Sequence, residues 1–344
     1  MKTLFILSLF RQGDKIKIST LYHLLKGKRT ISVLMSAFLH GNLPVFQLFP
    51  GVTEKEYQEC LDALIFAGFL VLDEEGEWGQ ITRKGQEYLT AQRAPDDPSS
   101  RWLDNYRYGK TDKEMWRQIQ FLVQVVSQLS YRNASYVPLE SSPLYQWRIK
   151  QLLKQVGKEG LGQRLRDELQ SVLGHLSDQE SQFLGQQLSG YQWNGKTEQQ
   201  LIQQLPQFSS VLVLKSCYHH FFKVIEDSAA PLLSTIVSQE LHRSNNRSML
   251  QTKKLWLSGM PPERIAEVRK MRRNTVNDHL LELAIQEKEH PCDGLLAQEQ
   301  LDYLKQLRTP PQEWQYRQLK ERLPTLDYFN FRLAQILTIH NECE

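Results

Sequence analysis

Cysteine is scarce. The chain has four in 344 residues (Cys60, Cys217, Cys292 and Cys343), widely separated and forming no CxxC pair. A disulfide framework is therefore not expected, and the usage suits a reduced, cytoplasmic chain. Long apolar runs are also missing: no stretch approaches the roughly 20 residues that cross a bilayer, so no membrane association is expected. The start, MKTLFILSLF, has a short apolar run without a small-residue cleavage site and is followed at once by charged RQGDKIKIS. It reads as a buried first helix rather than a secretory signal. No charge sign dominates: 42 Lys and Arg stand against 39 Asp and Glu, a net +3, so any nucleic-acid site must arise from local clustering. No Ser-His-Asp, paired-carboxylate or HExxH arrangement stands out, so neither an enzyme nor a cofactor or metal site is expected.

What is present is an ordinary globular mixture, 40% hydrophobic and 24% charged, long enough for two or three domains. Punctuation falls at QRAPDDPSS (92–100), at 137–143, at HRSNNRS (242–248) and at TPP (309–311). The first and third divide the chain into 1–91, 101–240 and 249–344. In the first part, LYHLLKG, ISVLMSAFLHG and YQECLDALIFAGF carry helical apolar spacing, the last opened by the capping-box pair Thr53 and Glu56. Two short extended runs then flank an acidic, Gly-containing turn, and a final helix begins near Lys84. Three helices, a small hairpin and a helix make a winged-helix-like order, and ITRKGQEYL resembles the wing-end segment of bacterial winged-helix regulators. Glu54, Glu56, Glu59 and Asp62 on the third helix would repel phosphates, which points this domain at protein contacts.

The middle part reads as successive amphipathic helices, KEMWRQIQFLVQVVSQL, PLYQWRIKQLLKQVG, RLRDELQSVLGHL, SDQESQFLGQQLSG and TEQQLIQQL, whose Trp and Tyr residues serve packing and interfaces. GYQWNGKT (190–197) fits the P-loop pattern G-x-x-x-x-G-K-[ST] letter for letter. A working P-loop needs a buried strand before it, and SQFLGQQLS is polar and helical, so the segment reads as a helix–helix connection opened by a Thr197/Gln200 capping box. Cys217, His219, His220, His290 and Cys292 lack the spacing of a zinc site.

The informative stretch is 249–286, MLQTKKLWLSGMPPERIAEVRKMRRNTVNDHLLELAIQ. Met249, Leu250, Leu255 and Leu257 predict an apolar helix ended by Gly259. Pro261 and Pro262 pre-set a second helix, favoured by Glu263 and buried through Ile265, Ala266 and Val268. A link from Lys270 to Arg273 leads to Asn274 or Thr275 as the cap of a third helix, with Val276, Leu280 and Leu283 as its apolar stripe. This is the helix-turn-helix plan, which sends the exposed start of the last helix into a major groove. From His242 to Asn274, nine basic residues face two acids, a local balance of +7. The candidate DNA-binding residues are Lys253, Lys254, Arg269, Lys270, Arg272, Arg273, Asn274, Thr275 and Asn277. Asp278 places an acid on the same helix, and His279 is expected to pack or to bond the preceding backbone.

Ile265, Ala266, Thr275, Val276, His279 and Leu280 occupy the places of a motif that resembles the helicase-type helix-turn-helix domain at the C-terminus of some RecQ-family helicases. LLAQEQLDYLKQL and LKERLPTLDYFNFRLAQIL resemble the second half of that domain, and the chain as a whole is similar to the YpbB-like proteins of low-GC Gram-positive bacteria. The resemblance implies a partner role beside a RecQ-type helicase, in repair or recombination. The sequence thus predicts a mainly α protein: a winged-helix-like domain, a helical middle and a helix-turn-helix tail. Its expected partners are DNA and a helicase, and homo-oligomerisation is left open. Two other readings stay open: a helix-turn-helix transcription regulator, and a scaffold that binds only protein.

Overall fold

The computed structural model describes residues 3–92, 101–203, 207–244, 246–287 and 295–342. They divide into two compact units with boundaries at 92/93 and 244/245; the first joins both ends of the sequence, and the second is the middle. The fold is mainly helical with one small sheet. The first unit opens with α1 (Thr3–Ser8), β1 (Ile16–Lys17), α2 (Ile18–Lys26), α3 (Ile31–Leu39) and α4 (Glu54–Phe66). β2 (Leu70–Leu72), β3 (Trp78–Ile81) and α5 (Arg83–Gln92) follow. The expected capping box is formed: Thr53 Oγ1 accepts the Glu56 N–H, and the Glu56 carboxylate accepts the Thr53 N–H at 2.9 Å. The hairpin is present and has a third strand, giving the antiparallel order β1-β3-β2 with Ile16 opposite Gly79 and Leu70 opposite Ile81. At two residues, β1 is too short to show a period-2 pattern. Four helices therefore precede the hairpin. The α4 acids Glu54, Glu56, Glu59 and Asp62 are exposed, opposite buried Tyr57, Cys60, Leu61 and Leu64.

The second unit contains α6 (Asp112–Ser130), α7 (Pro143–Val156), α8 (Leu161–Gly174), α9 (Asp178–Gly185), α10 (Glu198–Ile202), α11 (Gln207–Asp227) and α12 (Pro231–Ser244). Its core holds Trp116, Ile119, Leu122, Val172, Phe221, Phe222, Leu233 and Ile236. VLVL (211–214), the one β-branched run of this part, lies inside α11. Several buried charged and polar groups are paired between segments. Asp112 receives Lys215 at 2.6 Å and faces His219 Nε2 at 3.3 Å, while His219 Nδ1 accepts the Asp104 N–H at 3.0 Å. That second bond places the ring proton on Nε2, toward Asp112. His220 meets Glu180 at 3.0 Å and lies flat against Trp102, ring centroids 3.9 Å apart. Both histidines are thus held by carboxylates, and burial pushes the Cys217 thiol up to about 12. His290 and Cys292 lie outside the described residues. Among the described residues, no group of three or more His, Cys, Asp or Glu could hold a metal ion.

The remainder of the first unit is α13 (Arg247–Leu257), α14 (Pro262–Arg269), α15 (Arg273–Gln286), α16 (Gln298–Lys305), α17 (Tyr316–Arg322) and α18 (Tyr328–Glu342). Helix α15 sits at its centre, packed against α13, α14, α18 and, from the other end of the sequence, α3. Arg29, just before α3, donates through Nε to Glu282 Oε1 at 2.6 Å. His340 bonds the Ala284 carbonyl oxygen at 2.8 Å and meets the Phe38 ring edge-on at 5.2 Å. Residues 1–91 and 249–344, read from sequence as separate domains, are in contact through these groups. Among the described residues, no helix is long and apolar enough to cross a membrane.

Candidate nucleic-acid interface

The helix-turn-helix forms where the sequence places it. Helix α13 stops before Gly259, which takes φ +83, and α14 starts on Pro262 at its first position. Ile265 is fully buried and Ala266 nearly so, which lets α14 approach its neighbours. Val268, expected on the same face, is instead 50% exposed. The stripe that packs runs 262, 265, 266 and 269, so Arg269 fills the place expected for Val268. Its guanidinium donates to the Ser248 carbonyl oxygen (2.7 Å), Ser248 Oγ (2.8 Å), Gln251 Oε1 (3.1 Å) and Thr252 Oγ1. Arg269 therefore clasps α14 to α13.

The turn is made by Lys270, which takes the left-handed conformation (φ 53, ψ 46) as its N–H closes on the Glu267 carbonyl oxygen. A lysine there carries a backbone cost of about 1–2 kcal/mol. Helix α15 begins two or three residues earlier than an Asn274 or Thr275 cap would place it. Arg272 is its extended cap residue, with no capping side chain, and Asn274 and Thr275 lie in the first turn rather than at the cap. Their side chains are free to face outward because Arg272 and Arg273 already carry the chain into the helix. Val276, Leu280 and Leu283 are fully buried, as the apolar stripe predicts. His279 is buried against Thr252, Nδ1 to Oγ1 2.8 Å, and desolvation followed by the nearby Arg269 charge lowers its pKa.

The nine candidate residues are thus sorted by the fold. Lys254, Lys270, Arg272, Asn274 and Thr275 are exposed. Lys253 is held by Glu287 at 2.6 Å and 2.7 Å. Arg273 pairs with Glu263 across the turn and donates to Asn277 Oδ1 at 3.1 Å, so both are half-buried and fix the start of α15. Arg269 is engaged as above. Asp278 is exposed, and its carboxyl pKa is raised, first by partial burial and then by Glu282. The Arg29–Glu282 link behind α15 escaped the sequence reading because its partners are 253 positions apart.

This surface can hold phosphates with Lys254, Lys270 and Arg272, and it can offer Asn274 and Thr275 to base edges or phosphates. Residues 248–335 match the model of a helix-turn-helix domain family. The chain is also 24% identical over 327 residues to Protein YpbB of Bacillus subtilis (strain 168), covering 92% of this chain and 91% of that relative. No solved structure matches the chain.

Proposed function

We propose that the protein is a cytoplasmic DNA-binding accessory that grips DNA with the start of α15 and partners a RecQ-family helicase in repair and recombination. The observation that carries the DNA part is the exposed first turn of α15, with Arg272, Asn274 and Thr275 following Lys270 in a matched helix-turn-helix domain. Such a turn enters a major groove while its cations neutralise phosphates. The helicase part rests on the likeness of 249–344 to the helix-turn-helix tails of RecQ-family helicases. It is supported by α4, whose exposed acids and 97% exposed Phe66 suit a protein contact better than a phosphate contact.

The test is fluorescence anisotropy of labelled duplex, forked and single-stranded DNA across a salt series, with wild type and a Lys270→Glu/Arg272→Glu variant. Those two residues are chosen because neither side chain has a hydrogen-bond or ion-pair partner among the described residues, unlike Arg269 or Arg273. Salt-steep duplex or fork binding that is lost in the folded variant supports the reading, and a fork preference favours helicase support over transcriptional regulation. Absence of DNA binding by the wild type would sink it and leave a protein scaffold. The partner is tested separately, by co-purification of a RecQ-type helicase with the intact chain.

A further inference from the structure

The segment GYQWNGKT that imitates a P-loop is built as something else. Helix α9, not a strand, precedes it, and Lys196 donates through Nζ to Gln186 Oε1 at 2.9 Å and through its backbone to the Gln186 carbonyl oxygen at 2.7 Å. Gly190 and Trp193 exchange both backbone hydrogen bonds, at 2.9 Å and 3.3 Å, making a tight two-residue turn with Gln192 at φ 59. The turn is moored to the end of α6. The Tyr191 N–H donates to Ser127 Oγ at 3.0 Å, and Gln128 Nε2 donates to the Gly190 carbonyl oxygen at 3.3 Å. The turn comes close to α6 at Gly190, where a Cβ would stand 2.6 Å from Ser127 Oγ and 3.1 Å from Ser127 Cβ. The start of α8 comes close to the same end of α6 at Gly162, where a Cβ would lie 2.5 Å from Ser130 Oγ.

Three segments therefore meet at this end of the second unit, and they present aromatic rings outward. Tyr191 lies flat on Tyr131, centroids 4.5 Å apart and planes 14° from parallel. Tyr131 is 63% exposed and Trp193 64% exposed, so neither ring serves the core. Across 131–136, 157–167 and 190–198, the basic residues are Arg132, Lys158, Arg164, Arg166 and Lys196, against the acids Glu159, Asp167 and Glu198. Arg132 follows Tyr131 directly and Lys196 stands three positions after Trp193, both exposed. Flat ring faces with cations close by are the combination that holds single strands, where bases stack and phosphates are neutralised nearby. An apolar protein partner would draw less from that charge.

We propose that Tyr131, Tyr191 and Trp193 form a stacking platform for the unpaired bases of single-stranded DNA, separate from the helix-turn-helix surface. The choice of DNA over RNA rests on the function proposed above; the stacking does not. The test uses the full chain, both wild type and with Lys270→Glu/Arg272→Glu to silence the tail. Affinity is measured for an oligothymidylate of about 15 nucleotides, an abasic strand of the same length, an oligouridylate and a duplex. The tail-silenced protein should bind the thymidylate about tenfold or more tightly than the abasic strand, a ratio that follows from the usual strength of base–aromatic stacking. Adding Tyr191→Ala/Trp193→Ala should remove that advantage, whereas Tyr191→Phe/Trp193→Phe should keep most of it; circular dichroism melts verify folding. Equal affinity for thymidylate and abasic strand, or no change in the alanine variant, overturns the platform and leaves the rings to a protein contact. Tighter binding of oligouridylate overturns the assignment to DNA. Failure of the tail reading would be seen independently, as loss of salt-steep duplex binding by the wild type.

Discussion

Arg269 and Arg272 lie three positions apart and have opposite roles. Arg269 makes four hydrogen bonds to α13, and replacing it with alanine removes all four, leaving Thr252 Oγ1 with His279 alone. Arg269→Ala is therefore expected to lower the free energy of unfolding by about 2–3 kcal/mol in urea titrations. Arg272→Ala should leave stability within about 0.5 kcal/mol yet weaken duplex binding and flatten its salt slope by about one. Equal stability losses would refute this division. The count of nine cations was legible in the sequence; their division was not, because Arg269's partners lie 17 to 21 positions away. A second prediction concerns histidines. Burial lowers the pKa of His40, His219 and His279 from 6.5, so around and below that value the unfolded chain binds more protons than the folded one. Their contribution is complete above about pH 6.5 and is lost as pH falls below it. Urea midpoints should hold from about pH 8 to 7 and decline below about 6.5, less steeply in His279→Gln. A midpoint that rises on acidification would show that these rings are not kept neutral.

Elements whose signals are local were legible: the Thr53/Glu56 and Thr197/Gln200 capping boxes, the Pro262 start of α14 and the 276/280/283 stripe of α15 all appear as read. What failed was decided by packing or by a single dihedral. Val268 lost the buried face to Arg269, and the start of α15 was fixed by the left-handed Lys270 rather than by an Asn or Thr cap. That turn yields a third prediction. Lys270 holds a conformation glycine adopts freely, so Lys270→Gly removes backbone strain while also removing an exposed cation. Stability should be unchanged or rise by up to about 1 kcal/mol, the relief being partly offset by glycine's larger unfolded-state entropy. Duplex affinity and its salt slope should both fall. A destabilised variant with unaltered affinity would mean that the lysine serves the turn and not DNA.

The molecule joins its two sequence ends through pairs that no local pattern encodes, although one sequence feature hints at it. Helix α3, ISVLMSAFL, is apolar on more than one face, and in α15 every residue from Leu280 to Ile285 is buried, Glu282 included. Helices apolar around most of their circumference are covered on more than one side. Helix α15 is packed against α13, α14, α18 and α3, with Arg29 meeting the buried Glu282 carboxylate. If this packing holds α15 in place, residues 1–92 are a structural partner of the helix-turn-helix rather than a separate module. Fragments 1–92 and 245–344, expressed apart and then mixed, should co-elute as a 1:1 complex in gel filtration. The mixture should unfold more cooperatively than fragment 245–344 alone. Arg29→Met in the first fragment leaves Glu282 without that cation and should weaken the complex by about 1–3 kcal/mol, less than a fully buried pair would cost because Arg29 is partly solvated. Independent elution, with fragment 245–344 melting as sharply as the intact chain, would show that α15 needs no support from α3 and that the helix-turn-helix folds on its own.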